Sequence, residues 1–144
     1  MAYVRIWVHF VWSTKNREPI LKKEIRQEMF DHIESNAKQK GILLDIINGY
    51  HEHVHALVRL KADETVAKLA QLLKGESSHW ANKQNLLPGK FEWQDEYFAV
   101  SVSESSVEEV RRYIRNQEDH HRTKPFSEEY DEFLRKYGFP IKEG

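Results

Sequence analysis

The chain has 144 residues and a formal net charge of −1, with 22 Lys and Arg residues against 23 Asp and Glu residues, and it contains no cysteine. This length suits one domain with a sizeable core, while the lack of cysteine excludes thiolate metal sites, a cysteine nucleophile and disulfides. The balanced charge excludes a uniformly basic nucleic-acid coat. The apolar start is broken by Arg5 and His9, and no 18-residue apolar run follows, so we expect a soluble cytoplasmic protein.

The first predicted elements are a strand and a helix. Residues 3–13 alternate between apolar and mixed positions, which is the two-residue period of a strand. The wholly apolar face of this strand carries Val4, Ile6, Val8, Phe10 and Trp12. A helical repeat of apolar residues then follows Pro19, a residue suited to a helix start, and ends at Gly41.

A hairpin of two strands is predicted next. Residues 42–47 and 52–60 are rich in apolar and β-branched residues, and Asn48-Gly49 between them is a strong turn signal. In the later strand, Val54 and every second residue after it form an apolar row. We expect this row to face the same core as the first strand.

The middle of the chain predicts a second helix and a fourth strand. The helix begins near Asp63, and Gly75 is a position where it could bend or break. Alternation returns over 97–103, which predicts the strand.

Two further helices complete the chain. One begins near Ser105 or Ser106 and runs to Pro125, and a short terminal helix covers about 127–137. The element order β-α-β-β-α-β-α predicts an α+β, ferredoxin-like split βαβ fold. Two helices would cover the apolar face of its antiparallel sheet. The helix that carries Tyr113, or a partner subunit, would cover the mixed face.

The candidate metal site begins with His53 and His55. Side chains alternate along a strand, so these imidazoles share a face and lie about 6.6 Å apart along it, which allows them to share one divalent cation. The more common meaning of such a pair is two ordinary surface or core histidines. If the strand began at Tyr50, His51 would be a third possible ligand.

Tyr113 and Gln117 form the second half of the candidate site. They are four residues apart, so a helix places them on one face. A phenol can attack a phosphodiester and form a covalent phosphotyrosine, and a cation on the phosphate would stabilise the transition state. Imidazole, amide and phosphate ligands suit Mg²⁺ or Mn²⁺. Alternatively, Tyr113 is a boundary aromatic residue and Gln117 is a solvated surface residue.

A local basic cluster in segment 15–26 is the best candidate for contacts with DNA phosphates. This segment has five basic residues against two acidic ones. The residues that we predict to bind DNA are Lys15, Arg17, Lys22 and Lys23. Trp12 or Trp80 could stack on bases. The alternative is a solvated helix start beside a loop.

Several segments together resemble the single-tyrosine HUH transposases of small bacterial insertion sequences, where HUH means His, hydrophobic, His. They are HFVWSTKNR at 9–17, HEHVHALV at 51–58, WQDEYFAVSVS at 93–103, YIRNQEDHH at 113–121 and FSEEYDEFLRKYGF at 126–139. The resemblance implies one transposase domain over 1–144. It also implies that His53, His55 and Gln117 are metal ligands and that Tyr113 is the nucleophile.

The same resemblance implies a function and an assembly. It implies a homodimer that cuts and rejoins single-stranded DNA near hairpins, with Mg²⁺ or Mn²⁺, through a 5′-phosphotyrosine. The short connection 102–107 also favours a partner subunit as the cover of the mixed sheet face. The family often has Pro-Asp where this chain has His51-Glu52. Two alternatives remain open: a domesticated protein that binds or nicks repetitive hairpins, and a metal phosphodiesterase that uses water.

Overall fold

The fold is given by a computed structural model, which describes residues 2–141. Within this range the strands are β1 (Ile6–Thr14), β2 (Leu43–Gly49), β3 (His53–Leu60) and β4 (Trp93–Val102). The helices are α1 (Lys23–Gln39), α2 (Val66–Lys83), α3 (Val107–Arg115), α4 (Gln117–His121) and α5 (Phe126–Lys136). Short 3₁₀ turns at Lys15–Arg17 and Glu104–Ser106 follow β1 and β4.

The strands form one antiparallel sheet in the order β2-β3-β1-β4. This confirms the predicted α+β, ferredoxin-like split βαβ arrangement. The two central strands pair in a register that sets Val11 beside His55 and Ser13 beside His53. The candidate histidines therefore lie at the start of a central strand, where β1 pairs with both residues and β2 pairs with His55.

The main hydrophobic core lies between α1 and α2 and one face of the sheet. Phe10, Trp12, Val54 and Ala56 supply the sheet side of this core, as the alternation predicted. Trp12 is only 1% exposed, so the expectation that it could stack on a DNA base is wrong. It is buried because it lies on the strand face that α1 and α2 cover.

The opposite face of the sheet is covered by helices of the same chain. Trp7 and Leu57 of the sheet pack with Val107 and Ile114 of α3. The short connection before α3 therefore does allow that helix to fold back, contrary to the expectation that a partner should cover this face. The 3₁₀ turn in the connection reverses the chain, and Glu104 within it accepts a 2.6 Å hydrogen bond from the Trp7 indole.

α5 covers the remainder of this face. A second cluster joins Val11 and Phe98 of the sheet to Phe126 and Tyr130 of this last helix. The predicted terminal helix at about 127–137 is thus present, shifted by one residue. It contributes to the core.

Strand β2 runs through the Asn48-Gly49 pair that the sequence suggested as a turn. The chain reverses instead between Gly49 and His53. A Cβ atom on Gly49 would lie 2.1 Å from the carbonyl oxygen of His53, so the glycine allows the two strands to approach closely.

Three other boundaries differ from the sequence predictions. α2 begins at Val66, after Thr65 caps it by accepting a hydrogen bond from the Lys68 amide, and it passes Gly75 without a break. β4 begins at Trp93 and not at residue 97. The helix expected to run to Pro125 is interrupted at Asn116, which separates α3 from α4.

Candidate metal and nucleophile site

The paired histidines of β3 project from the sheet face that α3, α4 and α5 cover. Neither His53 nor His55 is exposed to solvent. The Nε2 atom of His53 lies 3.0 Å from the Oε1 atom of Gln117, which is also fully buried. The structure therefore brings together the three residues that the sequence analysis suggested as metal ligands.

The interruption at Asn116 brings Gln117 into the site. The Asn48 side-chain amide donates hydrogen bonds of 2.9 and 3.1 Å to the backbone carbonyls of Ile114 and Arg115, which are the last residues of α3. These bonds satisfy carbonyls that have no partner within the helix. The Gln117 amide nitrogen in turn donates to the Tyr113 carbonyl at 3.3 Å, which directs its oxygen towards His53.

Each histidine of the pair is held from its other ring nitrogen. The Nδ1 atom of His53 lies 2.7 Å from a carboxylate oxygen of Glu52, and the Nδ1 atom of His55 lies 2.9 Å from the Nε2 atom of His9. Partners of this kind fix the ring orientation and the tautomer of a metal-binding histidine. Both Nε2 atoms therefore face the interior of the site.

Burial keeps His55 and His9 neutral. It lowers the pKa of His55 to about 4 and, together with the proximity of His55, lowers the pKa of His9 to about 3. A neutral imidazole has the free electron pair that a metal ligand needs.

His51 lies outside the site. Its ring stacks on Tyr50 with centroids 4.0 Å apart, and its Nδ1 atom is 3.4 Å from an Arg26 guanidinium nitrogen. These contacts disfavour the third-ligand role that the sequence left open.

Tyr113 reaches the same site from α3 of the same chain. Its ring lies 5.5 Å from the His55 ring, and its hydroxyl donates a hydrogen bond to Glu129. Burial and the negative charge of Glu129 raise the pKa of the Tyr113 phenol above its ordinary value. The phenol is therefore protonated in this arrangement.

Glu129 of α5 is a site residue that the sequence analysis did not select. It is 2% exposed, and one of its oxygens lies 3.0 Å from the Nε2 atom of His55. Burial alone would raise the pKa of this carboxyl, but hydrogen bonds from His121 and His55 outweigh it and hold the pKa far below its ordinary value. Its position three residues after Phe126 places an acid on the apolar face of α5, which is the signal that could have revealed it.

The donor set suits a divalent cation. Ligand atoms of His53, His55, His121 and Glu129 all lie within 4.8 Å of one another, and all four residues are buried. The Gln117 oxygen borders the same group. Imidazole nitrogen with carboxylate and amide oxygen is a mixed set that manganese and similar divalent ions accept.

A cavity that is open to the surface lies beside Tyr113. It has a volume of about 510 Å³, and its lining includes His9, Ser101, Tyr113 and Lys136. The phenol ring is half-buried. Tyr113 therefore borders both the buried histidine cluster and this cavity.

The four residues suggested for DNA binding have different environments. Lys15 pairs with Glu92 at 2.9 Å, and the Arg17 guanidinium lies 5.2 Å from the centroid of the Phe126 ring. Lys22 and Lys23 are exposed at the start of α1. All four residues are exposed, and among the described residues Lys22 and Lys23 form no ion pair.

Trp80, the other tryptophan suggested for base stacking, is partly buried. Its ring stacks on His32 with centroids 4.1 Å apart and planes 6° apart. It lies on α2, which covers the sheet face opposite the histidine site.

None of the helices within residues 2–141 combines the length and the apolar character needed to cross a bilayer.

Comparison with known proteins identifies the family. A family model described as "Transposase IS200 like" matches residues 2–117. The chain therefore belongs to the IS200-like transposase family. The matched segment ends at Gln117, so α5 and its Glu129 lie beyond it.

Individual relatives agree with this assignment. The chain is 25% identical to the ISDra2 transposase TnpA of Deinococcus radiodurans over 116 residues, which cover 77% of this chain and 83% of that protein. The crystal structure of a proposed transposase from Deinococcus radiodurans R1 matches with a TM-score of 0.63 and 27% identity, over 81% of this chain and 95% of the other.

A second solved structure shows the same fold. It is a REP-associated tyrosine transposase bound to a REP hairpin, with a TM-score of 0.57 and 14% identity, over 84% of this chain and 70% of the other.

Proposed function

We propose that this protein is a metal-dependent transposase that nicks and rejoins single-stranded DNA through a phosphotyrosine intermediate, with Tyr113 as nucleophile and His53, His55 and Gln117 as ligands of Mg²⁺ or Mn²⁺. One observation supports it above the others. Two imidazole Nε2 atoms, an amide oxygen and a phenol converge on one buried centre from β3, α3 and α4.

The chemistry follows from these groups. The phenol loses its proton, its oxygen forms a bond to phosphorus, and the bond from phosphorus to the 3′ oxygen breaks. The leaving oxygen takes up a proton and becomes a free 3′-hydroxyl, while the 5′-phosphate stays on Tyr113. A bound divalent cation would withdraw charge from the phosphate in this reaction. The phosphotyrosine keeps the energy of the broken bond, so rejoining needs no ATP.

Hairpin DNA is the proposed substrate. The REP-associated tyrosine transposase of the same fold is described with a REP hairpin bound. Lys15, Arg17, Lys22 and Lys23 are the proposed phosphate contacts, and the exposed pair Lys22 and Lys23 has the charge best placed for them.

The test uses a hairpin-bearing DNA strand labelled at its 3′ end and incubated with the protein and Mn²⁺. On a denaturing gel, the label should migrate with the wild-type protein as a covalent adduct. Tyr113→Phe should form none, because it lacks the attacking oxygen. Tyr3→Phe is the matched control, since Tyr3 is 94% exposed and precedes β1, and it should form the adduct normally.

Two outcomes would contradict the proposal. Cleavage that survives in Tyr113→Phe would indicate water as the nucleophile and a phosphodiesterase in place of a transposase. An adduct that forms equally well after exhaustive chelation would show that the reaction does not need a metal ion.

The homodimer that the family resemblance implies is a separate part of the proposal. One chain supplies both the phenol and the imidazoles in the described arrangement, so the dimer would serve to hold two DNA ends. Light scattering on the purified protein should give a mass near 34 kDa, twice the 17.2 kDa of one chain. A single-chain mass with full nicking activity would contradict this part alone.

A further inference from the structure

The two carboxylate oxygens of Glu129 face different groups. The Oε1 atom lies 3.0 Å from the Nε2 atom of His55 and 3.6 Å from the Nε2 atom of His53. The Oε2 atom accepts the hydrogen bond of the Tyr113 hydroxyl and lies 3.1 Å from the Nε2 atom of His121. One side chain therefore lies between the imidazole pair and the phenol.

The spacing of the donor atoms is that of ligands around one ion. Metal–ligand bonds of about 2.1 Å set neighbouring ligand atoms about 3.0 Å apart at right angles and about 3.4 Å apart in a tetrahedron. The separations from His53 Nε2 to Gln117 Oε1 and from His55 Nε2 to Glu129 Oε1 are both 3.0 Å. The separation from His53 Nε2 to Glu129 Oε1 is 3.6 Å, so small movements would complete a shell.

We propose that Glu129 is a fourth metal ligand through Oε1 and that its Oε2 holds the Tyr113 hydroxyl, so that one carboxylate joins the cation to the nucleophile. This inference rests on the ligand and nucleophile assignments proposed above. It goes beyond them because Glu129 lies outside the segment that matches the family model.

The charge of the site supports this assignment. Two neutral imidazoles and an amide carry no charge to compensate that of a divalent cation. Glu129 adds one negative charge, and at 2% exposure water screens it little. His55 and His121 already contact this carboxylate, and a metal ion would add a full positive charge that further offsets the cost of burying it.

His121 contacts the carboxylate of Glu129 and is a positioning residue, because it orients that carboxylate. Its Nδ1 atom donates a 2.8 Å hydrogen bond to the Lys124 carbonyl, which turns its Nε2 atom towards Glu129. The loop between α4 and α5 thereby fixes the orientation of the carboxylate.

The first test measures Mn²⁺ binding by calorimetry on the full-length protein without DNA. Glu129→Gln keeps the shape of the side chain and removes its charge. We expect it to weaken Mn²⁺ binding by at least about tenfold, the lower end of the loss seen when only an outer partner of a ligand is removed. Glu132→Gln is the matched control, because Glu132 lies on the same helix and pairs with Lys124 at the surface. It should bind Mn²⁺ as the wild type does.

The second measurement reports on the phenol. A 3-fluorotyrosine at position 113 should give a ¹⁹F signal that shifts strongly in Glu129→Gln and much less in Glu132→Gln, whose charge acts on the phenol only from a distance. An unchanged signal in Glu129→Gln would overturn the contact with the nucleophile.

A third measurement needs no variant and covers the case in which Glu129→Gln does not fold. An anomalous-difference map of wild-type crystals grown with Mn²⁺ should place Glu129 Oε1 at a bonding distance of about 2.2 Å from the ion. An ion bound by His53, His55 and Gln117 with Glu129 turned away would overturn the inference and leave the proposed function intact. Tight Mn²⁺ binding in His53→Ala would instead contradict the proposed metal site itself.

Discussion

The side-chain amide of Asn48 donates a 2.9 Å hydrogen bond to the backbone carbonyl of Ile114, and it thereby ties the end of β2 to the end of the helix that carries Tyr113. A second bond of 3.1 Å reaches the carbonyl of Arg115. One side chain at the sheet edge therefore determines where α3 ends and where Gln117 begins the next turn.

Replacement of Asn48 by alanine should loosen this junction. Loss of the two bonds should lower the free energy of unfolding by about 1–2 kcal/mol, and Mn²⁺ binding should weaken because Gln117 is no longer held in place. Urea unfolding and calorimetry measure the two effects. Asn36→Ala on α1 is the control, and equal behaviour of the two variants would contradict the role of Asn48.

Gly49→Ala should be strongly destabilising, because its Cβ atom would lie 2.1 Å from the His53 carbonyl oxygen and must displace one strand. We expect a lower melting temperature and weaker Mn²⁺ binding, since His53 moves with its backbone. Gly75→Ala is the matched control. Apart from the backbone of α2 itself, no described atom lies within 4 Å of the place that its Cβ would take, so this change should raise stability by about 0.5–1 kcal/mol. A normal melting curve for Gly49→Ala would refute the close approach.

Arg26→Met should test how much the contact between Arg26 of α1 and Glu118 of α4 contributes to stability. Arg26 is 5% exposed, donates to the Leu21 carbonyl at 3.1 Å and pairs with Glu118 at 2.7 Å. Its loss should cost about 1.5–3 kcal/mol of unfolding free energy, the range for hydrogen bonds of charged groups, because Arg26 is buried while Glu118 is partly exposed. Lys15→Met breaks only the exposed pair with Glu92 and should change stability little. Similar urea midpoints for the two variants would show that the burial of Arg26 adds nothing to the free energy of unfolding.

Glu52→Ala should weaken metal binding without removing a proposed ligand. The carboxylate fixes the His53 ring through its Nδ1 atom at 2.7 Å. Removal of such an outer partner typically lowers metal affinity by about 10- to 100-fold. Calorimetry with Mn²⁺ measures the change, and Glu34→Ala on the exposed side of α1 is the control. Wild-type affinity in Glu52→Ala would mean that packing alone orients His53.

The period of two along the strands was enough to predict both faces of the sheet. Val54 and Ala56 face the main core while His53 and His55 face away, as strand alternation requires. Turn and helix boundaries were less predictable, because they depend on contacts between distant segments. Asn48 is a good turn former, yet here its amide is used as a cap for α3, 66 residues further on.

The acidic residue of the site was missed for a similar reason. Glu129 lies in a helix whose sequence resembles an ordinary charged surface helix. Its burial depends on the packing of Phe126 and Tyr130 against Val11 and Phe98 of the sheet. The apolar face of α5 indicates that this helix packs against another element, but no local pattern predicts that the histidines lie beneath it. The fold shows why a single acid on the apolar face of α5 is tolerated: His55 and Tyr113 contact its carboxylate.

The order of the site residues along the chain has a consequence for synthesis. The histidine pair is translated early, in β3, whereas His121 and Glu129 are added by the last two helices. β4, the last strand of the sheet, is also complete in the chain before either of these helices begins. The four-residue cluster therefore cannot assemble until α5 has been synthesised.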